Sequence, residues 1–99
     1  MLRACFVVYD SCAEVFSTPI FAMNRGDAIR AFTDACNDKT HMYNKHPYHY
    51  TLFYLGSYDL RSAELKIEKA PIVVIKAIEC VRTTTDEQIE MFEKGGSDG

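Results

Sequence analysis

Hydrophobic and polar positions change period several times along this chain. It opens on a β-rich run, residues 2–9, in which Phe6, Val7, Val8 and Tyr9 are consecutive and bulky. Asp10-Ser11 ends the run, a pair whose short polar side chains favour turns. A second run covers 14–23, with Val15, Phe16, Ile20 and Phe21 as its apolar members. Pro19 has no N–H to give a ladder, so this strand is expected at a sheet edge or broken there. Two strands across a short polar turn predict an antiparallel hairpin.

The period then shifts to that of a helix. Over 25–37, Ala28, Ile29, Phe32, Ala35 and Cys36 recur at three- and four-residue steps and form one apolar stripe. Asn24 is placed to cap this helix, and Asp27 puts a carboxylate against its N-terminal dipole. Asn37-Asp38 is a plausible end, because Asn tolerates the left-handed conformation. Residues 39–49 read as a polar loop, and Tyr50 through Tyr58 as a strand. Asp59-Leu60-Arg61-Ser62 supplies a turn, and Leu65 through Glu68 alternates as a half-exposed strand. Ala70-Pro71 is expected to interrupt it, and the β-branched run from Ile72 to Val81 is the best candidate for a central strand. Thr85 and Gln88 have capping-box spacing before a short acidic helix carrying Ile89 and Phe92, followed by a glycine-rich end.

These elements predict an α+β fold: an antiparallel sheet of four to five strands, one main helix packed on one face, and a short C-terminal helix. Residues 1–83 are read as a single α+β domain and 84–99 as an acidic short helix and flexible tail. A sheet with only one face under a helix leaves the other free, and a free apolar face predicts a homodimer.

Composition narrows the function. The 99 residues carry a formal net charge of −3, which argues against a broad basic face for duplex binding. Single-strand binding through a local patch of cations and stacking rings stays open. There is no stretch of 18 apolar residues and no secretory pattern at the start, so neither a membrane helix nor export is expected. The four cysteines, Cys5, Cys12, Cys36 and Cys80, form no CxxC pair and read as reduced thiols.

Cys36, His41, His46 and His49 are of the types zinc accepts, but their spacing matches no standard zinc module. No metal and no cofactor are therefore expected. No phosphate loop, nucleophile elbow or paired-histidine metal motif is present, so catalysis is not expected either. The segment 39–54 mixes cations with flat rings. Arg25, Arg30, Lys39 and Lys45 are candidate phosphate contacts, and Tyr43, His46, Tyr48, His49 and Tyr50 are candidate stacking or polar contacts. Lys66, Lys69, Lys76 and Arg82 are candidates to widen that patch. The competing expectation is that these tyrosines pack their rings on the sheet edge. Ile89 and Phe92 are candidates to dock on a partner, the competing expectation being that their helix covers part of its own sheet.

An ordered set of short motifs resembles the small nonstructural protein of gokushoviruses, single-stranded DNA bacteriophages. The set is Val8-Tyr9-Asp10-Ser11, Ala13-Glu14, Pro19-Ile20-Phe21, Gly26 through Phe32 with Asp34 and Asn37-Asp38, then His46-Pro47, Tyr50 through Phe53, and Leu55-Gly56. The resemblance implies a non-virion protein in the cytoplasm of an infected bacterium. It implies a role like that of microvirus protein C, in switching to single-stranded genome synthesis coupled to packaging. The implied partners are single-stranded DNA and the replication initiator or procapsid proteins. The family resemblance carries over no catalytic residue. Leu60-Arg61-Ser62 departs from the glycine-containing turn of such proteins, and the tail past residue 83 has no counterpart.

Overall fold

The computed structural model describes residues 1–82. Its strands are β1 (Leu2–Asp10), β2 (Val15–Phe16), β3 (Ile20–Ala22), β4 (Tyr50–Asp59) and β5 (Leu65–Lys76). Its helices are α1 (Arg25–Cys36), α2 (Met42–Lys45) and α3 (Ala77–Cys80), with a 3-10 turn over Pro47–His49. All pairing is antiparallel, in the order β2-β1-β4-β5, with β3 also on β1. The fold is therefore α+β, with a five-stranded antiparallel sheet, one main helix and a short helix after the last strand.

The second apolar run divides where Pro19 stands. Val15-Phe16 and Ile20 to Ala22 each pair with β1, and Ser17 joins them by a side-chain route. Its Oγ accepts from Val8 N at 2.9 Å while its own N donates to the Val8 carbonyl at 2.8 Å. The hydroxyl thus gives the Val8 N–H an acceptor in the gap between the two short strands.

α1 begins as its sequence indicates: Asn24 Oδ1 accepts from Asp27 N at 2.8 Å. Its end corrects the expectation. Asn37 has φ −100, not a left-handed value, and closes the helix with its amide. Asn37 Nδ2 donates to the carbonyls of Thr33 at 2.9 Å and Cys80 at 3.0 Å, and Oδ1 accepts from Arg82 N at 2.7 Å. One side chain therefore terminates α1 and fastens the end of α3 to it.

The run 72–81 is not a central strand. The sheet centre is β1 and β4, and β5 is an edge that pairs only with β4. An edge accepts Pro71, which lacks a donor. Leu65–Lys76 forms one strand in place of the two expected, yet the pairing does slip at Ala70-Pro71. Gly56 faces Ile67 and Tyr54 faces Ile72, so Glu68, Lys69, Ala70 and Pro71 stand opposite Leu55 alone. The strand ends at Lys76, because Ala77 and Cys80 turn inward as one helical turn and become buried against α1. The loop 39–49 is also more ordered than expected, holding α2 and the 3-10 turn. The acidic helix expected from Thr85 lies outside the described residues.

The core lies between α1 and one face of the sheet. Phe6, Val8 and Leu52 meet Ala28, Phe32 and Cys36, with Ala77 and Cys80 closing one end. Alternation along a strand sends Cys5, Val7 and Tyr9 to the opposite face. Cross-strand pairing adds Phe16, Phe21, Phe53, Ile67 and Val73 to that face. Tyr9, Phe16 and Phe53 form a cluster there, with ring centroids 4.6 Å, 5.9 Å and 6.5 Å apart. No described helix covers it.

Candidate nucleic-acid interface

The candidate residues from 39 to 50 gather at the end of the molecule where α1 finishes. Asn44 Nδ2 donates to the Cys36 carbonyl at 2.9 Å, which fixes α2 against that helix end. His41 caps α2, its Nδ1 accepting from Tyr43 N at 3.1 Å. Asp38 shapes the preceding turn: its Oδ1 accepts from Thr40 N at 2.9 Å and from the Thr40 hydroxyl at 2.7 Å. Those two bonds stabilise the carboxylate and hold its pKa below the ordinary range. The 3-10 turn is held from the other side by Ser11 N, which donates to the His49 carbonyl at 2.8 Å.

The aromatic candidates divide into two groups. Tyr43 is packed inward, its ring 5.3 Å from Phe32, 4.1 Å from His41 and 4.7 Å from Tyr50. Burial pushes its phenol pKa up, with further contributions from Tyr50 and Cys36. Tyr50 is raised too, first by desolvation and then by the Asp10 carboxylate. These two rings are part of the structural support. Tyr48 is the opposite case, 80% exposed on the 3-10 turn. Beside it His46 and His49 stack at 5.6 Å with an interplanar angle of 12°. The arrangement presents flat rings on a backbone tied down at both ends.

The cations are distributed unevenly. Lys39 and Lys45 are exposed at this end, before α2 and in its last turn. Lys76 and Arg82 flank α3, which packs against both α1 and the 3-10 turn, so they belong to the same end. Lys66 and Lys69 sit farther along β5. Arg25 stands at the first turn of α1, about 16 Å along the helix axis from Cys36. Arg30 lies between, ion-paired with Asp27 at 3.5 Å. The structure does not bring Arg25 to the His46-Pro47 segment. Ile89 and Phe92 lie outside the described residues.

Sequence reading passed over a hollow of about 270 Å³ beside the stacked histidines, lined by Asp10, Cys12, Ala13, Met42, His46 and His49 with Tyr50. The Asp10-Ser11 pair was legible as a turn. Its place against the 3-10 turn depends on a bond between residues 11 and 49 that no local pattern announces. A second hollow of about 210 Å³ lies between α1 and the sheet, and Asp27 is its sole charged lining residue.

Among the described residues, no three His, Cys, Asp or Glu side chains converge as a metal site. Cys36 is fully buried beside Cys80, and its thiol pKa is pushed up to about 12 by desolvation and by that neighbour. A thiol so held is a packing group and a poor ligand. All four cysteines are free, and Cys12 alone of them is exposed.

These features define a small α+β protein with one end that gathers exposed rings and cations. The family model of the Phage ORF5 protein matches residues 3–80, so the chain belongs to that bacteriophage protein family. No curated protein and no solved structure matches it.

Proposed function

We propose that this phage protein binds single-stranded DNA through the end formed by α2 and the 3-10 turn, and acts without catalysis in viral single-stranded DNA replication and packaging. The supporting observation is Tyr48, an exposed ring on an anchored turn beside Lys45 and the stacked His46 and His49. Single-strand binders combine such rings with backbone-tracking cations, here Lys39, Lys45, Lys76 and Arg82. The negative net charge does not oppose this locally. Five of the fourteen acids, Asp86, Glu87, Glu90, Glu93 and Asp98, lie beyond residue 83, leaving residues 1–82 with ten basic and nine acidic side chains. The role in replication and packaging, and the setting in the host cytoplasm, rest on the resemblance to gokushovirus nonstructural proteins. Occupancy of the emerging strand would block synthesis of its complement.

Fluorescence anisotropy of a labelled single-stranded oligonucleotide, with duplex as control, tests the reading. Tyr48→Ala is expected to weaken binding about 5- to 150-fold, the cost of losing about 1–3 kcal/mol of stacking. Lys45→Ala is expected to flatten the salt dependence by about 0.7 in slope, one phosphate contact on a single strand. Absence of single-strand binding at low salt overturns the reading.

The net charge of −3 favours a second reading, an adaptor that meets the replication initiator or procapsid without touching DNA. Pull-down of those proteins from nuclease-treated lysate, with Tyr48→Ala as active as the unmodified chain, is the result that reading expects.

A further inference from the structure

We infer that the sheet face turned away from α1 is a self-association surface, which pairs with the same face of a second copy of this chain. This inference does not rest on the DNA-binding reading, and the two regions meet only at Lys76.

The paired positions of this face are apolar through its centre, and Lys69, in the unpaired stretch of β5 between Ile67 and Val73, is the charged residue that alternation adds there. Cross-strand pairing sets Phe16 beside Tyr9, Val7 beside Phe53 and Val73, Phe21 beside Cys5, and Ile67 beside Gly56. Cys5 and Val7 are already buried by their neighbours. The outer members remain half open: Phe16 at 46%, Phe21 at 51%, Leu65 at 49%, Ile67 at 51% and Val73 at 53%. In the register, the paired positions of this face carry charge only at its ends, with Arg3 beside Tyr58 and Lys76 beside Thr51.

The area is what a dimer needs. Half-open aromatic and aliphatic side chains of these sizes expose on the order of 500 Å² together, at the upper end of what a soluble monomer leaves uncovered. Two such faces together bury about 1,000 Å², the lower bound for a specific interface. Sheets packed face to face interdigitate side chains at about 10 Å separation. The Tyr9, Phe16 and Phe53 rings, which project from this face, are suited to that packing.

The open face and the end of the described residues lie in different layers of the fold. The described chain ends at Arg82, whose N–H donates to Asn37 at the end of α1. That point lies on the helix side of the sheet, the layer opposite the open face.

Sedimentation equilibrium of the full chain at micromolar concentrations tests the inference. The expected mass is twice the 11.3 kDa of one chain. Val73→Lys, at an exposed site on the edge strand, is expected to raise the dissociation constant at least about 30-fold. Ile67→Lys, on another stretch of the same face, is expected to do the same. Ile72→Lys pairs with Tyr54 on the helix side of the same strand and is expected to leave the dimer intact. Circular dichroism establishes that each variant is folded. A chain that stays at 11.3 kDa throughout overturns the inference. So does a dimer indifferent to Val73→Lys and Ile67→Lys, and so does equal dissociation by Ile72→Lys, which would mean pairing along the β5 edge.

Discussion

The two faces of the sheet are made of similar residues and end in different environments. On one side Phe6, Val8 and Leu52 lie under α1 and are almost fully buried. On the other, Phe16, Phe21, Ile67 and Val73 are half exposed. Alternation along β1 supplies both faces equally, since Phe6 to Tyr9 is apolar without a break. A strand apolar on both sides is the pattern of a sheet expecting two covers. This chain folds one of them from its own described residues, α1. The difference teaches that an unbroken apolar run reports how many faces are to be covered, but not by what.

Substitution on the covered face has the largest expected effect. Phe32→Ala removes a buried ring between the helix and the sheet and is expected to cost about 3–5 kcal/mol, read as a lower urea midpoint. Phe16→Ala, on the open face, is expected to cost about 1 kcal/mol or less at concentrations where the chain is monomeric. Equal costs would break the comparison and mean that the open face is covered within one chain.

Gly56→Ala tests the junction between the buried centre and the exposed edge. Gly56 faces Ile67, and a Cβ there would run into the Lys66 carbonyl oxygen. β5 must move away from β4 to admit it, at an expected cost of about 1–3 kcal/mol. Preserved stability in Gly56→Ala would show that the edge strand is held loosely.

Thiol reactivity sharpens the contrast without altering the fold. Cys36 and Cys80 are under α1, Cys5 is on the open face but buried by its neighbours, and Cys12 is exposed. One thiol is expected to react with Ellman's reagent quickly in the native state, and all four after denaturation. Burial raises the pKa of Cys5 as well as Cys36, so both are expected to react slowly near neutral pH.

The smallest expected effect is at the β4–β5 turn. Asp59 is held below its ordinary pKa of 3.8, chiefly by the Arg61 N–H and further by the N-terminal ammonium. A depressed carboxyl pKa adds stability above the ordinary value, and this is lost as pH falls through the folded value. Asp59→Asn is therefore expected to lower the denaturation midpoint slightly at neutral pH, and to narrow its gap from the unmodified chain below pH 3.8. Both charges are substantially exposed, so salt is expected to shrink the effect further.

Much of the fold was legible because the signals are local. The α1 stripe, its Asn24 cap, the Pro19 break and the strands at 2–10 and 50–59 all depend on neighbours within a few positions. The candidate site was legible only as a composition of rings and cations. Tyr43, Tyr48 and Tyr50 have the same side chain, yet Tyr43 and Tyr50 pack inward while Tyr48 points out. That division follows from the Asn44 bond to Cys36 and the Ser11 bond to His49, which connect segments distant in sequence.

The sequence by itself determined the class of fold, the main helix and the two-faced apolar character of the sheet, since periodicity and capping act over a single turn or pleat. Only the tertiary structure decided that β1 and β4 form the centre and the β-branched run of β5 the edge. Strand order depends on pairings between segments distant in sequence, and β-branching serves an edge as well as a centre. It was likewise tertiary contact that packed α3, flanked by Lys76 and Arg82, against the 3-10 turn and left Arg25 at the far end of α1, because a helix of twelve residues separates its two ends by more than a side chain can reach.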